Sequence, residues 1–225
     1  MEKFKGLIFD FNGVLLLDQE LHDAIWKKTA FEITGRRLSD EEFKNVFHGR
    51  TNKGVLEYLF GSEIEPRELQ RLATKKELLY QEVARGLGSE YRLAPGAPHL
   101  LDTLRQRNIP FTIATSSPKM NVGFFNEMLH LDTWFDMEKV VNDDGTFPGK
   151  PAPDIYLKAA NILSLKPEDC VVIEDARSGI AAAYAAGIGY ILAIGPKQSH
   201  ASLQALPGVN EVVERLDEVD VARLF

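Results

Sequence analysis

Cysteine, long hydrophobic runs and clusters of basic residues are all scarce in this sequence. The single cysteine, Cys170, excludes an internal disulfide and lies in the apolar run DCVVIED, where we expect it to be buried and unreactive. No apolar stretch approaches the ~20 residues that span a bilayer. No basic run suggests a nucleic acid or an anionic membrane as a partner. The start of the chain, MEKFKGLIFDF, enters a strand at once, so we expect no signal peptide.

The composition predicts a globular protein with one main core. Of 225 residues, 44% are hydrophobic, which is enough for one core and a smaller satellite domain. Lysine and arginine number 26 against 33 acidic residues, so the formal net charge is −7. A charge of this sign and size is typical of a soluble protein, and we expect a cytoplasmic monomer.

Four short apolar runs are typical of buried parallel strands. They are Lys5 to Asp10, Phe111 to Thr115, Cys170 to Glu174 and Gly189 to Ala193. Helical patterns separate the later runs, and this alternation predicts an α/β fold with a doubly wound parallel sheet and right-handed crossovers. Ligands of such sheets bind beyond the carboxyl ends of the strands. The polar residues that end these runs should therefore converge on one site.

The segment between the first strand and the rest of the sheet has a different pattern. It is poor in strand signals and rich in amphipathic helix, as in Leu21 to Ile33 and Pro66 to Arg85. We predict that it forms a small helical cap domain inserted after the first strand. The predicted domains are a core of residues 1–16 and 89–225 and a cap of residues 17–88.

The first strand ends in the sequence LIFDFNGVL. Asp10 stands at the strand tip, where a lone aspartate most often caps a helix or a turn. Gly13 permits a tight turn that brings backbone amides close to a ligand. An enzyme that attacks a phosphoester with Asp10 would use a second carboxylic acid at position 12, where this chain has Asn12. An amide cannot donate and accept a catalytic proton as a carboxyl group does.

Two further segments suit a phosphate ligand. Thr115 ends the second predicted strand, and the backbone amides after it lie at a predicted helix start, where anions bind readily. The alternative is that Ser116 or Ser117 caps that helix. Lys150 follows a glycine and precedes a proline in GKPAPDIY, so its backbone is held extended. A lysine placed in this way could pair with Asp10 and with the charge of a phosphate.

Two adjacent acids, Glu174 and Asp175, end the third apolar run. Carboxylates gathered at one edge of a sheet repel one another unless a cation is present. Oxygen ligands favour Mg²⁺, which keeps several of its waters when it binds a protein. The pattern therefore predicts a magnesium site. The alternative is that one acid caps the following helix while the other is solvated.

These residues occur in the order and approximate spacing of the four motifs of the haloacid dehalogenase-like (HAD) hydrolase superfamily. The resemblance covers essentially the whole chain, and the helical insert resembles that superfamily's type 1 cap. The strings DFNGVLLLDQELH, GKPAPDIYLKAA and VVIEDARSGIAAAYAAG most resemble the branch of β-phosphoglucomutases and small phosphatases. The four-motif combination is specific for the superfamily and says little about the substrate.

The resemblance implies a role for each motif. Asp10 would be the nucleophile, which forms an aspartyl phosphate. Thr115 and the backbone amide of Ser116 would hold the phosphoryl oxygens. Lys150 would orient Asp10 and screen its charge. The implied ligands of Mg²⁺ are Asp10, the backbone carbonyl of Asn12, Asp175, and Glu174 directly or through water.

Position 12 departs from the family pattern, in which phosphatases and mutases have an aspartate as general acid and base. Asn12 keeps the size and the backbone carbonyl of that residue but cannot carry the proton, whose transfer is typically worth roughly 10² to 10⁴ in rate. Phosphate monoester turnover should therefore be slow. Three explanations are open: an engineered substitution, a natural departure in which another group or the substrate supplies the proton, or a protein that binds without turnover. Leu17, where the family often has an acid, is a second departure and favours a natural origin.

The cap should supply specificity. The segment VFHGRTNKGVLEYL resembles the family's substrate-facing loop, so His48 and Arg50 are candidates to contact the leaving group or a second phosphate, although both could equally be solvated. The mutase branch usually has an arginine where Asn52 lies, which weakens a bisphosphate mutase interpretation. His22 and Trp26 lie one turn apart on the first cap helix, and His22 matches a histidine common in this branch. The cap has no lysine in a context typical of phosphonate cleavage.

We therefore predict a Mg²⁺-dependent phosphatase-like hydrolase that acts on a small phosphorylated metabolite, such as a sugar phosphate. One alternative is a sugar-phosphate mutase, which detectable phosphoryl exchange between sugar positions would select. The other is a non-catalytic protein that binds phosphorylated metabolites. That alternative predicts Mg²⁺-linked ligand binding without turnover, even after Asn12→Asp.

Overall fold

Six parallel strands form the centre of the molecule. The computed structural model describes residues 4–225, and for residues 44 and 45 it describes only the backbone. The strands are β1 Gly6–Phe9, β2 Phe111–Pro118, β3 Val141–Asp143, β4 Cys170–Glu174, β5 Tyr190–Ile194 and β6 Val209–Val213. They lie in the order β3-β2-β1-β4-β5-β6, and each neighbouring pair is parallel.

Helices cover both faces of the sheet because successive side chains of a strand point to opposite faces. The α-helices are α1 Gln19–Thr34, α2 Asp40–Glu42, α3 Asn52–Phe60, α4 Pro66–Gly86, α5 Ala97–Gln106, α6 Lys119–Leu129, α7 Asp154–Ile162, α8 Arg177–Ala185, α9 His200–Gln204 and α10 Val221–Leu224. On β1, Leu7 and Phe9 pack in one apolar cluster with residues of α5 and α6, whereas Ile8 packs in a second cluster with residues of α7 and α8. The predicted fold, a doubly wound parallel sheet, is confirmed.

The strand order reverses at β1. From β1 the chain builds β2 and β3 on one side, and it then returns to place β4, β5 and β6 on the other side. The register aligns Phe9 of β1 with Ile173 of β4, so the residues that follow these two strands emerge next to each other. Open parallel sheets bind ligands at such a reversal, beyond the carboxyl ends of the strands.

The four predicted strands are present, but β3 and β6 are not among the strands that the sequence predicted. Both lie at the edges of the sheet. β3 has only three residues, and β6 carries the polar residues Asn210 and Glu211. An edge strand is buried on fewer sides, so it lacks the continuous apolar run that marks a central strand. β2 also continues beyond its predicted end at Thr115, to Pro118.

A helical segment lies between β1 and β2, and the two long helices predicted there are confirmed as α1 and α4. The segment also contains α2, α3 and a π-helical stretch, Phe43–Phe47. Trp26, Phe47 and Leu56 belong to an apolar cluster that these helices bury among themselves. Tyr80 of α4 packs instead with the cluster over the sheet. No helix in the described part of the chain is long and apolar enough to span a membrane.

Candidate active site

Asp10 follows β1 directly and lies at the carboxyl edge of the sheet. Its backbone N–H donates to the carbonyl of Ile173 at 3.0 Å, which fixes it beside the end of β4. Its side chain is buried. Glu174 ends β4 and Asp175 follows it, so three acids from two neighbouring strands meet at the reversal of the sheet.

Lys150 reaches this edge from the loop before α7. Its ammonium donates to Oδ1 of Asp10 at 2.7 Å and to Oε1 of Glu174 at 2.6 Å. The same Glu174 oxygen accepts a hydrogen bond from the hydroxyl of Tyr156 at 2.7 Å. Lys150 is only 3% exposed, so both ion pairs form away from water. The structure thus brings together the lysine and the aspartate that the sequence suggested as a pair.

The carboxylates at this edge are electrostatically crowded. Burial raises the pKa of Asp10 to about 7; the charge of Lys150 opposes this shift, and that of Glu174 adds to it. Burial, followed by the charges of Glu174 and Asp10, also raises the pKa of Asp175 well above its ordinary value. Burial would lower the pKa of Lys150, but Asp10 and Glu174 raise it, so this lysine stays charged. The single positive charge of Lys150 cannot neutralise all three carboxylates.

The crowded acids suit a divalent cation. Asp10, Glu174 and Asp175 each place a carboxylate oxygen within 4.8 Å of the other two. A donor set made of hard oxygens fits a cation such as Mg²⁺ or Ca²⁺ better than a softer transition metal. Gly13 keeps this space open: its φ is 85°, and a Cβ there would lie 2.1 Å from Oδ2 of Asp175. The residues present therefore fit the predicted metal.

The loop after Thr115 forms the next wall of the site. Thr115 is buried, and its Oγ1 accepts a hydrogen bond from the backbone N–H of Ser117 at 3.1 Å. Ser116 donates to the backbone carbonyl of Gly49 at 2.8 Å, so the loop contacts the helical insert. The N-cap of α6 is Pro118, and no side chain caps that helix. The alternative that Ser116 or Ser117 caps it is therefore wrong.

The side-chain amide of Asn12 forms hydrogen bonds through both its nitrogen and its oxygen. Its Nδ2 donates to Oδ2 of Asp18 at 2.8 Å and lies 3.2 Å from Nε2 of His22. Its Oδ1 accepts a hydrogen bond from the hydroxyl of Ser117 at 2.9 Å. Asp18 is buried, and its Oδ2 also accepts a hydrogen bond from Tyr80 at 2.5 Å. The amide thus serves as a donor to a neighbouring carboxylate, a contact that the sequence did not reveal.

The three cap residues predicted as ligand contacts, His22, His48 and Arg50, all line one cavity with Asp10. His48 is held by Asp23, whose Oδ1 lies 3.0 Å from Nε2. Burial would raise the pKa of Asp23, but hydrogen bonds from His48 and Gln19 lower it overall. The backbone carbonyl of His48 accepts a hydrogen bond from Ser178 of α8 at 2.8 Å. These histidines and Arg50 therefore line the cavity and are half-buried.

Lys76 and Glu77 of α4 are among the cavity residues that the sequence did not suggest. They lie in the run TKKELL, and such charge runs usually mark a solvated helix face. Both are almost fully buried, and the two side chains form an ion pair with N–O distances of 3.1 and 3.2 Å. Lys76 therefore lies in the cavity wall, although the sequence showed no cap lysine in a context typical of phosphonate cleavage. Because the polar face of α4 is wide, the sequence pattern did not indicate that Lys76 is buried.

The cavity has a volume of about 70 Å³ and lies between the insert and the carboxyl edge of the sheet. That volume holds roughly five waters, since each needs about 10–15 Å³. One end is formed by Asp10, Thr115, Ser116 and Asp175, and the other by Trp26, Asn52, Lys76 and Glu77. The arrangement can hold a small anion at the sheet and its substituent against the helices.

A family model described as haloacid dehalogenase-like hydrolase matches residues 4–187. The beta-phosphoglucomutase of Bacillus subtilis (strain 168) is 33% identical over 228 residues, covering 98% of this chain and 93% of that protein. Hexitol phosphatase A of Escherichia coli (strain K12) is 28% identical over 221 residues, covering 97% of this chain and 94% of that protein. A solved structure, a HAD hydrolase of family IA, variant 3, from Entamoeba histolytica HM-1:IMSS, is 40% identical with a TM-score of 0.86 and covers 98% of this chain and 97% of that chain. Because the family model spans most of the chain, this protein belongs to the haloacid dehalogenase-like hydrolase family, as its motifs predict.

Proposed function

We propose that this protein is a Mg²⁺-dependent hydrolase of small phosphorylated metabolites, with Asp10 as the nucleophile. The contact between the Lys150 ammonium and Oδ1 of Asp10, at 2.7 Å, carries the proposal. It holds a carboxylate at the reversal of a parallel sheet, next to a further acid pair and a hydroxyl-bearing loop. Relatives named as hexitol phosphatase A and as phosphorylated carbohydrates phosphatase support a sugar or polyol phosphate as the substrate class.

In the proposed reaction, a carboxylate oxygen of Asp10 attacks the phosphorus and the bond to the leaving-group oxygen breaks, which gives an aspartyl phosphate and an alcohol whose oxygen takes its proton from water. Water then releases inorganic phosphate and regenerates Asp10. Thr115 and the backbone amide of Ser116 hold the phosphoryl oxygens, and Lys150 orients Asp10 and favours its ionised form. The contact of Lys150 with Asp10 is already made in the structure, so it requires little rearrangement during the reaction.

Asp10, Asp175 and the backbone carbonyl of Asn12 would bind Mg²⁺. Both oxygens of Glu174 already accept hydrogen bonds, from Lys150 and Tyr156 on one side and from the backbone of Ala176 on the other, which favours its contact through water. When bound, Mg²⁺ neutralises charge on the transferring phosphoryl group.

We propose residues 17–88 as a cap that closes over this site. Gly49 of this segment lies close against the core, because a Cβ there would sit 2.4 Å from Oγ of Ser178. Ser116 and Ser178 hold the backbone of this cap loop from two different core segments. Closure of this kind excludes water from the reacting groups.

Release of inorganic phosphate from a panel of sugar and polyol phosphates, with Mg²⁺, tests the proposal. The expected result is slow turnover, since Asn12 cannot carry a proton. Asp10→Asn is the matched control, and activity that survives this change would refute the role of Asp10. Binding without any turnover, even when an acid is restored at position 12, would favour the non-catalytic alternative. Phosphoryl exchange between sugar positions would favour a mutase.

A further inference from the structure

A buried ion pair forms part of the cap wall of the cavity. Lys76 and Glu77 are neighbours in α4 and are 3% and 2% exposed. Each ion has lost its water, which is costly unless the partner and further hydrogen bonds replace that water. The two charges therefore have to be satisfied inside the protein, and their partners decide what this wall can offer to a ligand.

The carboxylate of Glu77 is saturated with donors from the protein itself. Asn52 donates to Oε1 at 2.6 Å, and Asn121 of α6 donates to Oε2 at 2.7 Å. Lys76 contacts both oxygens. Burial would raise the pKa of Glu77, but the charges of Lys76 and His22 and the hydrogen bond from Asn52 hold it below the ordinary value of 4.5. Glu77 is therefore a fixed negative charge at neutral pH.

The positive charge of Lys76 is engaged as well. Besides its contacts with Glu77, the ammonium lies 3.4 Å from Nδ1 of His22 and 5.0 Å from the centre of the Trp26 ring. An ammonium has three N–H donors, and these neighbours account for them. A phosphate near Lys76 would have to displace a carboxylate that is already in place and would be repelled by it.

A second positive side chain also lines the cavity. Arg50 lines the cavity, and its buried Nε has no hydrogen-bond partner among the described residues. It follows Gly49, whose carbonyl accepts the hydrogen bond from Ser116. The backbone just before Arg50 is thus anchored to the loop after Thr115, which is proposed to hold the transferring phosphate. The charge distribution suits one phosphate, at the sheet.

We propose that the Lys76–Glu77 pair selects an uncharged, hydroxyl-bearing leaving group and excludes a second phosphate from the cap end of the cavity. This inference rests on the proposed phosphomonoester hydrolase function and specifies its substrate class: monophosphates of neutral sugars or polyols. Hydroxyl groups can exchange hydrogen bonds with a neutral polar wall, whereas a phosphate dianion at the cap end would meet the charge of Glu77, whose neighbouring cation, Lys76, is already paired with it. A mutase that passes through a bisphosphate does not fit this wall.

Binding to the Asp10→Asn variant tests the inference without depending on turnover. The probes are fructose 6-phosphate and fructose 1,6-bisphosphate, titrated calorimetrically in the presence of Mg²⁺. We expect the bisphosphate to bind at least tenfold more weakly than the monophosphate. Adding Glu77→Gln removes the carboxylate charge and frees Lys76. The ratio of the affinity for the bisphosphate to that for the monophosphate should then rise at least tenfold, which corresponds to one charge-assisted hydrogen bond.

The matched control is the double change Lys76→Gln with Glu77→Gln, which removes both charges and leaves the wall neutral. It should keep the parent's preference for the monophosphate, since only an unpaired cation attracts the second phosphate. Circular dichroism melting curves verify that each variant folds. If Glu77→Gln does not fold, the ratio of the two affinities measured on Asp10→Asn alone decides whether the cap end excludes a second phosphate.

Two results would overturn the inference. One is that Asp10→Asn alone binds the bisphosphate as tightly as the monophosphate. The other is that adding Glu77→Gln gives a folded variant whose ratio of the two affinities is unchanged. Failure of the proposed function looks different. In that case neither probe binds, and the unmodified protein releases phosphate from no monoester, which removes the inference together with the function on which it rests.

Discussion

Restoring the acid at position 12 should harm the protein unless residue 18 is changed at the same time. In the structure the amide of Asn12 donates to Oδ2 of Asp18 at 2.8 Å. Asn12→Asp replaces this hydrogen bond by two carboxylates in contact. At that distance and an effective dielectric constant of about 20, their repulsion is about 6 kcal/mol. Protonating the new aspartate instead costs about 4 kcal/mol at pH 7, since its ordinary pKa is about 3.9.

The smaller of these two costs sets the expected effect. Asn12→Asp should therefore lower the free energy of unfolding by about 4 kcal/mol at pH 7 and by only about 1.5 kcal/mol at pH 5, where protonation is easier. The double change Asn12→Asp with Asp18→Asn exchanges the two groups and again pairs one amide with one carboxylate. It should recover most of the lost stability, and it places an acid at position 12.

Urea unfolding at pH 7 and pH 5, with a chelator present to exclude metal effects, measures these free energies. Phosphate release with Mg²⁺ provides the second readout, in which the double variant should gain roughly 10² to 10⁴ in rate over the parent. The reasoning is refuted if Asn12→Asp alone is as stable as the parent at both pH values. It is also refuted if the double variant is no more stable than Asn12→Asp.

Three further outcomes follow from the site. Lys150→Gln leaves two buried carboxylates without their partner and should cost about 3–5 kcal/mol, measured by urea unfolding, and abolish phosphate release. Gly13→Ala puts a Cβ 2.1 Å from Asp175 at a φ of 85°, so it should weaken Mg²⁺ binding at least tenfold, as measured by calorimetry. Gly35→Ala is the control for backbone strain alone, because its φ is 70° and a Cβ there meets nothing within 4 Å. Because the pKa of Glu77 is lowered, its ionised form stabilises the fold above pH ~4.5; the stability advantage over Glu77→Gln should be present at pH 7 and shrink as the pH falls below 4.5.

The sequence predicted the parts of the site that depend on strand order. Parallel strands bring their carboxyl ends to one edge, so Asp10, Thr115 and Glu174 could be placed together from three apolar runs alone. The ion pair of Lys76 and Glu77 could not be found in this way. A charged run in an amphipathic helix is typical of a solvated surface, and only the packing of α4 against α1, α3 and α6 buries it.

The contact between Asn12 and Asp18 was missed for a different reason. It depends on a tight turn in which Gly13 donates its backbone N–H to the carbonyl of Leu16 at 2.7 Å, so that the chain folds back on itself after β1. Local turn geometry of this kind is weakly encoded in residue types. The edge strands β3 and β6 were missed because they lack a continuous apolar run.

The single lysine among three acids has a consequence for the order in which ligands bind. Asp10, Glu174 and Asp175 contribute three negative charges when all are ionised and Lys150 one positive charge, so full ionisation would give the edge of the sheet a charge of −2. A phosphate dianion that approaches such an edge is repelled, whereas a divalent cation is attracted and brings the sum to zero. The metal would then be the first ligand to bind and the phosphorylated compound the second. Under this scheme, a metabolite that chelates Mg²⁺ lowers the occupancy of the site without touching the protein.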